Sequence, residues 1–176
     1  MRVPYTILFI LVEGNDDVRF FDTIVKPLLE RKYDSVLVRP YRHQRPRKVS
    51  NFLRSIKAMN RCYLLVADIN GSPCITAKKQ QIQNRYRDAD ASRIVVVRRE
   101  IESWYLAGLD DASCRELGVT PFRDAHSITK QQFDSVMPSK FNSRIDFMWE
   151  ILKCFSADIA RQKNRSFEYF VGKHDC

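Results

Sequence analysis

The stretch Leu8–Phe21, LFILVEGNDDVRFF, changes character in its middle. Five apolar residues lead into Glu13, Gly14, Asn15, Asp16 and Asp17, after which apolar residues return. The β-rich run from Thr6 to Val12 suits a strand covered on both faces. From Asp16 to Arg31 the period is helical, with Val18, Phe21, Ile24, Val25, Leu28 and Leu29 on one stripe. A strand that empties into acid and then a helix is the opening of a βαβ unit. Its carboxylates stand at the strand's carboxyl end.

The pattern repeats. Ser35–Val38 reads as a second strand and Lys48–Met59 as a helix with Val49, Phe52, Leu53 and Ile56 inward. Cys62–Ala67 is a third strand, Ala77–Arg87 a more polar helix, and Ile94–Val97 a fourth strand. Strands alternating with helices imply right-handed crossovers and an α/β fold, a compact four-stranded parallel sheet with helices on both faces. After residue 98 the pattern is helical only: Glu102–Leu109, Ala112–Leu117 and a longer Arg144–Ile159, with Pro121–Ser139 the most loop-like region. We therefore expect an α/β core over 1–108 and a helical C-terminal extension over 109–176, packed together as one domain.

Composition narrows the classes. The 176 residues are 44% hydrophobic and 29% charged, which predicts a folded chain rather than a disordered one. Thirty Lys and Arg against 21 Asp and Glu give a formal charge of +9, a balance that favours polyanions such as nucleic acid. Cys62, Cys74, Cys114, Cys154 and Cys176 are odd in number and widely spaced. They signal free thiols in a reducing cytoplasm rather than a disulfide framework. His43, His126 and His174 have no zinc-ligand spacing. The apolar run VPYTILFILV is ten residues long, too short to span a bilayer, so no membrane role is expected. The five glycines form neither a P-loop nor a G-x-G-x-x-G turn, which disfavours a nucleotide-binding α/β protein.

In a parallel sheet, ligands bind outside the carboxyl ends of the strands. Strand one ends in Glu13-Gly14-Asn15-Asp16-Asp17, strand three in Asp68-Ile69-Asn70-Gly71, and strand four near Glu100 and Glu102. Carboxylates gathered at one edge repel unless a cation lies between them. Asp17 starts the stripe that faces the sheet, so it points toward the strand ends. Glu13, Asp17 and Asp68, with Asn70 as a neutral oxygen donor and Glu102 as an extra ligand, suit Mg²⁺ (or Mn²⁺), which keeps waters for substrate phosphates. The plainer alternative is that Asn15 caps a helix, Asp16 and Asp17 favour its dipole, and Asp68–Gly71 is an ordinary turn.

VEGNDD followed some fifty residues later by LLVADING resembles the TOPRIM domain of topoisomerases, bacterial primases and OLD-family nucleases. That family pairs a glutamate-glycine turn after its first strand with a D-x-D turn after its third, in a compact Rossmann-like sheet. The resemblance implies that Glu13 is a metal ligand or general acid/base, the catalytic residue of the set. Asp17 matches an acid four positions later in the OLD-like branch, and Asp68 the first aspartate of the pair. The chain departs from the family at Asn70, which keeps an oxygen donor and loses a charge. REIESWYLAG (Arg99–Gly108) and the later RQKNRSFEYF are similar to small TOPRIM-like proteins associated with ATPases in prokaryotic defence. An ATPase partner is thereby implied, and a homo-oligomer is left open. In the I-E-S-W motif, Trp104 is expected to be core packing.

RPYRHQRPRK (Arg39–Lys48) connects strand two to its helix, at the edge that carries the acids. Arg39, Arg42, Arg45, Arg47 and Lys48 are candidate nucleic-acid-binding residues, since forked guanidinium donors suit phosphates. Arg161, Lys163, Arg165 and Lys173 add charge near the end. The expectation is a metal-dependent nuclease. The alternative is a non-catalytic module of the same fold that binds nucleic acid or a partner.

Overall fold

The computed structural model describes residues 5–172; Lys173, His174 and Cys176 lie outside them. The chain forms two compact units divided between Val96 and Val97.

The first unit is α/β. Strands β1 (Ile7–Val12), β2 (Ser35–Pro40), β3 (Cys62–Asp68) and β4 (Ile94–Val97) form one parallel sheet in the order β2-β1-β3-β4. Ile7 pairs with Ser35 and Val12 with Pro40, while Leu8 pairs with Cys62 and Leu11 with Leu65. Side chains alternate across such strands. Leu11, Tyr63 and Leu65 pack on one face with Val49, Leu53 and Ile56 of α3 (Pro46–Ala58) and Ile82 of α4 (Ile75–Arg85). Leu8, Ile10 and Val12, fully buried, take the opposite face.

The helix after β1 is not uniform. α1 (Asn15–Phe20) passes through a π-helical turn (Phe21–Val25) into α2 (Lys26–Leu29). Pro27 has no N–H to donate to the preceding turn. The widened turn precedes it, with the N–H of Lys26 reaching back to the carbonyl of Phe21. Of the stripe read from the sequence, Phe21, Val25 and Leu29 are buried and are joined by Phe20, while Val18, Ile24 and Leu28 are half-buried.

The second unit is helical: α5 (Glu102–Ala107), α6 (Asp111–Leu117), α7 (Lys130–Val136), α8 (Arg144–Lys153), α9 (Ala157–Lys163) and α10 (Arg165–Gly172). Two expectations change here. The long helix expected over Arg144–Ile159 breaks after Lys153, because Ser156 turns out of it. The Ser156 hydroxyl caps α9 by accepting the N–H of Ile159 (3.3 Å), and its N–H donates to the carbonyl of Gly108 (2.9 Å). The loop expected over Pro121–Ser139 contains α7, which opens on a capping box. The Thr129 hydroxyl accepts from the N–H of Gln132, and the Gln132 side chain accepts from the N–H of Thr129.

The segments REIESWYLAG and RQKNRSFEYF meet inside this unit. Trp104 is fully buried, donates its indole N–H to the Ser166 hydroxyl (2.8 Å), and packs on Phe167 and Phe170. Asn164, 1% exposed, donates to the Ser103 hydroxyl and accepts the backbone N–H groups of Ser166 and Phe167, starting α10. These motif residues hold helices together. Among the described residues, Cys62, Cys74, Cys114 and Cys154 are free thiols, and no helix is long and apolar enough to cross a membrane.

Candidate functional site

The site in the first unit grows from three strand ends. After β1, Glu13 and Gly14 lead into α1. Gly14 rather than Asn15 is the capping residue, and the Asp17 carboxylate folds back to accept its N–H (3.0 Å). That bond holds Asp17 at 6% exposure. A Cβ at Gly14 would meet Asp17 Oδ2 at an ordinary 3.6 Å, so the turn does not demand glycine on steric grounds.

After β3, Asn70 (φ 35°) and Gly71 (φ 69°) are both left-handed, and the N–H of Ser72 closes the turn on the carbonyl of Ile69 (3.1 Å). Two positive φ angles in the centre of a four-residue turn are the habit of Asn-Gly, since few other residues adopt them without strain. The turn explains Asn70 locally.

After β2 the parallel pairing continues past the strand. The N–H of Tyr41 donates to the carbonyl of Val12 (2.9 Å) and that of Arg42 to the carbonyl of Glu13 (3.2 Å). Tyr41 is buried, donates its hydroxyl to the carbonyl of Val66 (3.1 Å), and meets the Tyr86 ring edge-on at 5.5 Å. Burial pushes its phenol far above the ordinary tyrosine range. The negative charges of Glu13, Asp17 and Asp68 push it further, together with the neighbouring Tyr86. These three carboxylates thus act on one neutral phenol.

Glu13, Asn70 and Arg42 line a cavity of about 230 Å³. Its far wall is α4, which presents Lys78, Gln81, Ile82 and Arg85. That spacing places them on one helical face. Lys78, Gln81 and Arg85 were not among the residues expected from the sequence, although K-x-x-Q-I-x-x-R carries the period that would have grouped them. Gln81 accepts the Ser72 hydroxyl (2.9 Å), tying α4 to the Asn70 turn.

The remaining candidates divide. Arg39 and Lys48 line a more apolar cavity of about 450 Å³ with Phe9, Val49 and Phe52. Arg47 lines a third, of about 470 Å³, with Arg54, Arg85, Arg87 and Asp88. Arg45 is the exposed residue preceding α3 and lines none of the three. The basic segment therefore serves several surfaces rather than one patch.

Glu102 lies in the second unit. At 5% exposure it is ion-paired with Arg144, which also holds Asp134 at 2.8 Å. Burial raises its carboxyl above the usual range, opposed by a backbone hydrogen bond and by Arg144. Of the later cations, Arg161, Lys163 and Arg165 line a wide cavity of this unit with Asp158 and Glu168, and Lys163 also donates to the carbonyl of Leu109 (2.6 Å). Among the described residues, no three His, Cys, Asp or Glu side chains stand as a ready metal-ligand group.

No family model matches the chain, and no curated protein does. One solved structure, the C-terminal region of the Xanthomonas campestris pv. campestris OLD protein, is similar over 97% of this chain and 98% of that one, with TM-score 0.44 and 12% sequence identity.

Proposed function

We propose that the chain is a Mg²⁺- or Mn²⁺-dependent nuclease that hydrolyses phosphodiesters of nucleic acid at the Glu13 cavity. The observation that carries this reading is the cavity itself, where Glu13 and Asn70 face Arg42, Lys78 and Arg85. A carboxylate beside several cations can move a proton while the cations hold a phosphate.

The donor set suits a shared ion rather than a closed cage. Mg²⁺ commonly uses one or two carboxylates and completes its shell with water and substrate phosphate. Glu13 would hold it with Asn70 as a neutral donor, both lining the cavity, while Asp17 and Asp68, which do not line it, would bear on the ion through their charge. Glu102, paired with Arg144, is read as structural. A bound Mg²⁺ would supply Lewis acidity and a more acidic water. Glu13 would take the proton, and Arg42, Lys78 and Arg85 would hold a phosphate of the strand beside it. An ATPase partner and a role in defence belong to this proposal on the motif resemblance alone, and a cytoplasmic location on the scattered cysteines.

The test is cleavage of supercoiled plasmid and of single-stranded DNA and RNA with Mg²⁺, Mn²⁺ or EDTA, against Glu13→Gln. A second reading, a non-catalytic module that binds nucleic acid or a partner, is favoured by Asn70 in place of an aspartate. Calorimetric titration with Mn²⁺ separates the two. A working site binds the ion in the native protein and more tightly after Asn70→Asp, whereas a silent module binds it in neither.

A further inference from the structure

The Glu13 cavity carries more positive charge than a diester would need. Arg42, Lys78 and Arg85 line it and make no ion pair among the described residues. Against them stands one lining carboxylate, Glu13, which leaves two positive charges in excess within the lining, Asp17 and Asp68 standing outside it. Cations gathered around one cavity repel one another unless an anion joins them. An internal phosphodiester brings a single negative charge, whereas a phosphate monoester brings about −1.5 to −2 at neutral pH. At about 230 Å³ the cavity is also smaller than the ~300–1,000 Å³ typical of pockets for whole drug-sized ligands. It admits a phosphate and little beyond it.

The neighbouring cavity is also basic. Arg85 lines both the Glu13 cavity and this one of about 470 Å³, where Arg47, Arg87, Ser50 and Asn51 are met next. Arg54 there is already paired with Asp88 (2.9 Å), so Arg47, Arg85 and Arg87 remain for a ligand. A small basic cavity beside a larger basic one suits a strand that ends in the first and continues across the second.

We propose that this cavity recognises the terminal phosphate monoester of a nucleic-acid strand, with Arg42, Lys78 and Arg85 as its ligands and the groove beyond Arg85 receiving the nucleotides that follow. The proposal rests on the nucleic-acid reading above and makes the substrate a strand end rather than an internal site.

The experiment measures fluorescence anisotropy of one single-stranded oligonucleotide carrying a 5′-phosphate, a 3′-phosphate or hydroxyls only. It is run in EDTA with wild type, Lys78→Gln and Arg85→Gln, both changes lying on a helix surface. One phosphorylated end should bind about tenfold or more tighter than the hydroxyl end, as expected for charge-assisted bonds to a second negative charge. Either substitution should shrink that ratio toward one while the hydroxyl-ended strand loses less. Equal affinity for all three ends overturns the proposal. So does displacement of the phosphorylated strand by inorganic phosphate at equal concentration, which would make the free anion the ligand. Because EDTA stops metal-dependent cutting, an end preference in a protein that never cuts would sustain this pocket and sink the nuclease. Cutting that depends on Glu13 with no end preference would do the reverse.

Discussion

The backbone N–H of Arg42 donates to the carbonyl oxygen of Glu13 at 3.2 Å, so the basic segment after β2 is fastened to the acidic turn after β1. The bond is main chain to main chain, and side-chain substitution leaves it in place. Arg42→Ala should therefore alter stability by no more than about 0.5 kcal/mol, as for other exposed positions. Nucleic-acid affinity should fall at every sequence tested, and the slope of log K against log salt should drop by about one. A salt titration of wild type and variant checks this, and an unchanged slope would remove Arg42 from the interface.

Gly108 and Phe155 are in closer contact than any side chain at 108 would permit. A Cβ there would overlap the Phe155 ring. The backbone of Gly108 is ordinary (φ −77°), so the constraint is space alone. Gly108→Ala should cost about 1–3 kcal/mol of unfolding free energy, the usual toll of overpacking. Adding Phe155→Leu should recover part of that loss. A urea-melt double-mutant cycle reads the coupling, and strictly additive effects would contradict it.

The ion pair of Glu102 and Arg144 predicts a pH dependence. Burial raises the Glu102 carboxyl above its ordinary 4.5, so the folded protein holds that proton more readily than the unfolded chain does. Stability attributable to this group is then greatest in acid and declines as pH rises through the ordinary value toward the raised one. Arg144→Met removes the partner and steepens the decline. The variant should lose about 3 kcal/mol near pH 7, where the buried carboxylate is charged, and less near pH 4. Glu102→Gln should flatten the profile. Equal losses for Arg144→Met at both pH values would show that the charge of Glu102 is immaterial.

Much of the first unit was legible because its strands are nearly continuous apolar runs and its helices carry a clean stripe. Ile94–Val97 was read with its observed bounds, and the parallel direction of the strands follows from the alternation of elements. The acidic turns were legible too, but the sequence could not say which side chains share a cavity. Lys78 and Arg85 sit on a helix whose polar face looks solvated until the Asn70 turn is placed opposite it. In the second unit, local pattern and tertiary contact compete. Arg144–Ile159 reads as one helix, yet Ser156 leaves it to bond Gly108, a partner distant in sequence. α7 was missed although Thr129-x-x-Gln132 is a capping box, because flanking polar residues hid it.

The central claim is most directly tested by cleavage of single-stranded and supercoiled DNA, and of RNA, in Mg²⁺ or Mn²⁺ by wild type and Glu13→Gln. The account predicts cutting by wild type that EDTA abolishes, and a loss of about 10²-fold or more in the variant, the scale on which a general acid or base contributes. Metal-dependent cutting that Glu13→Gln leaves intact would contradict it, placing the chemistry away from the turn after β1.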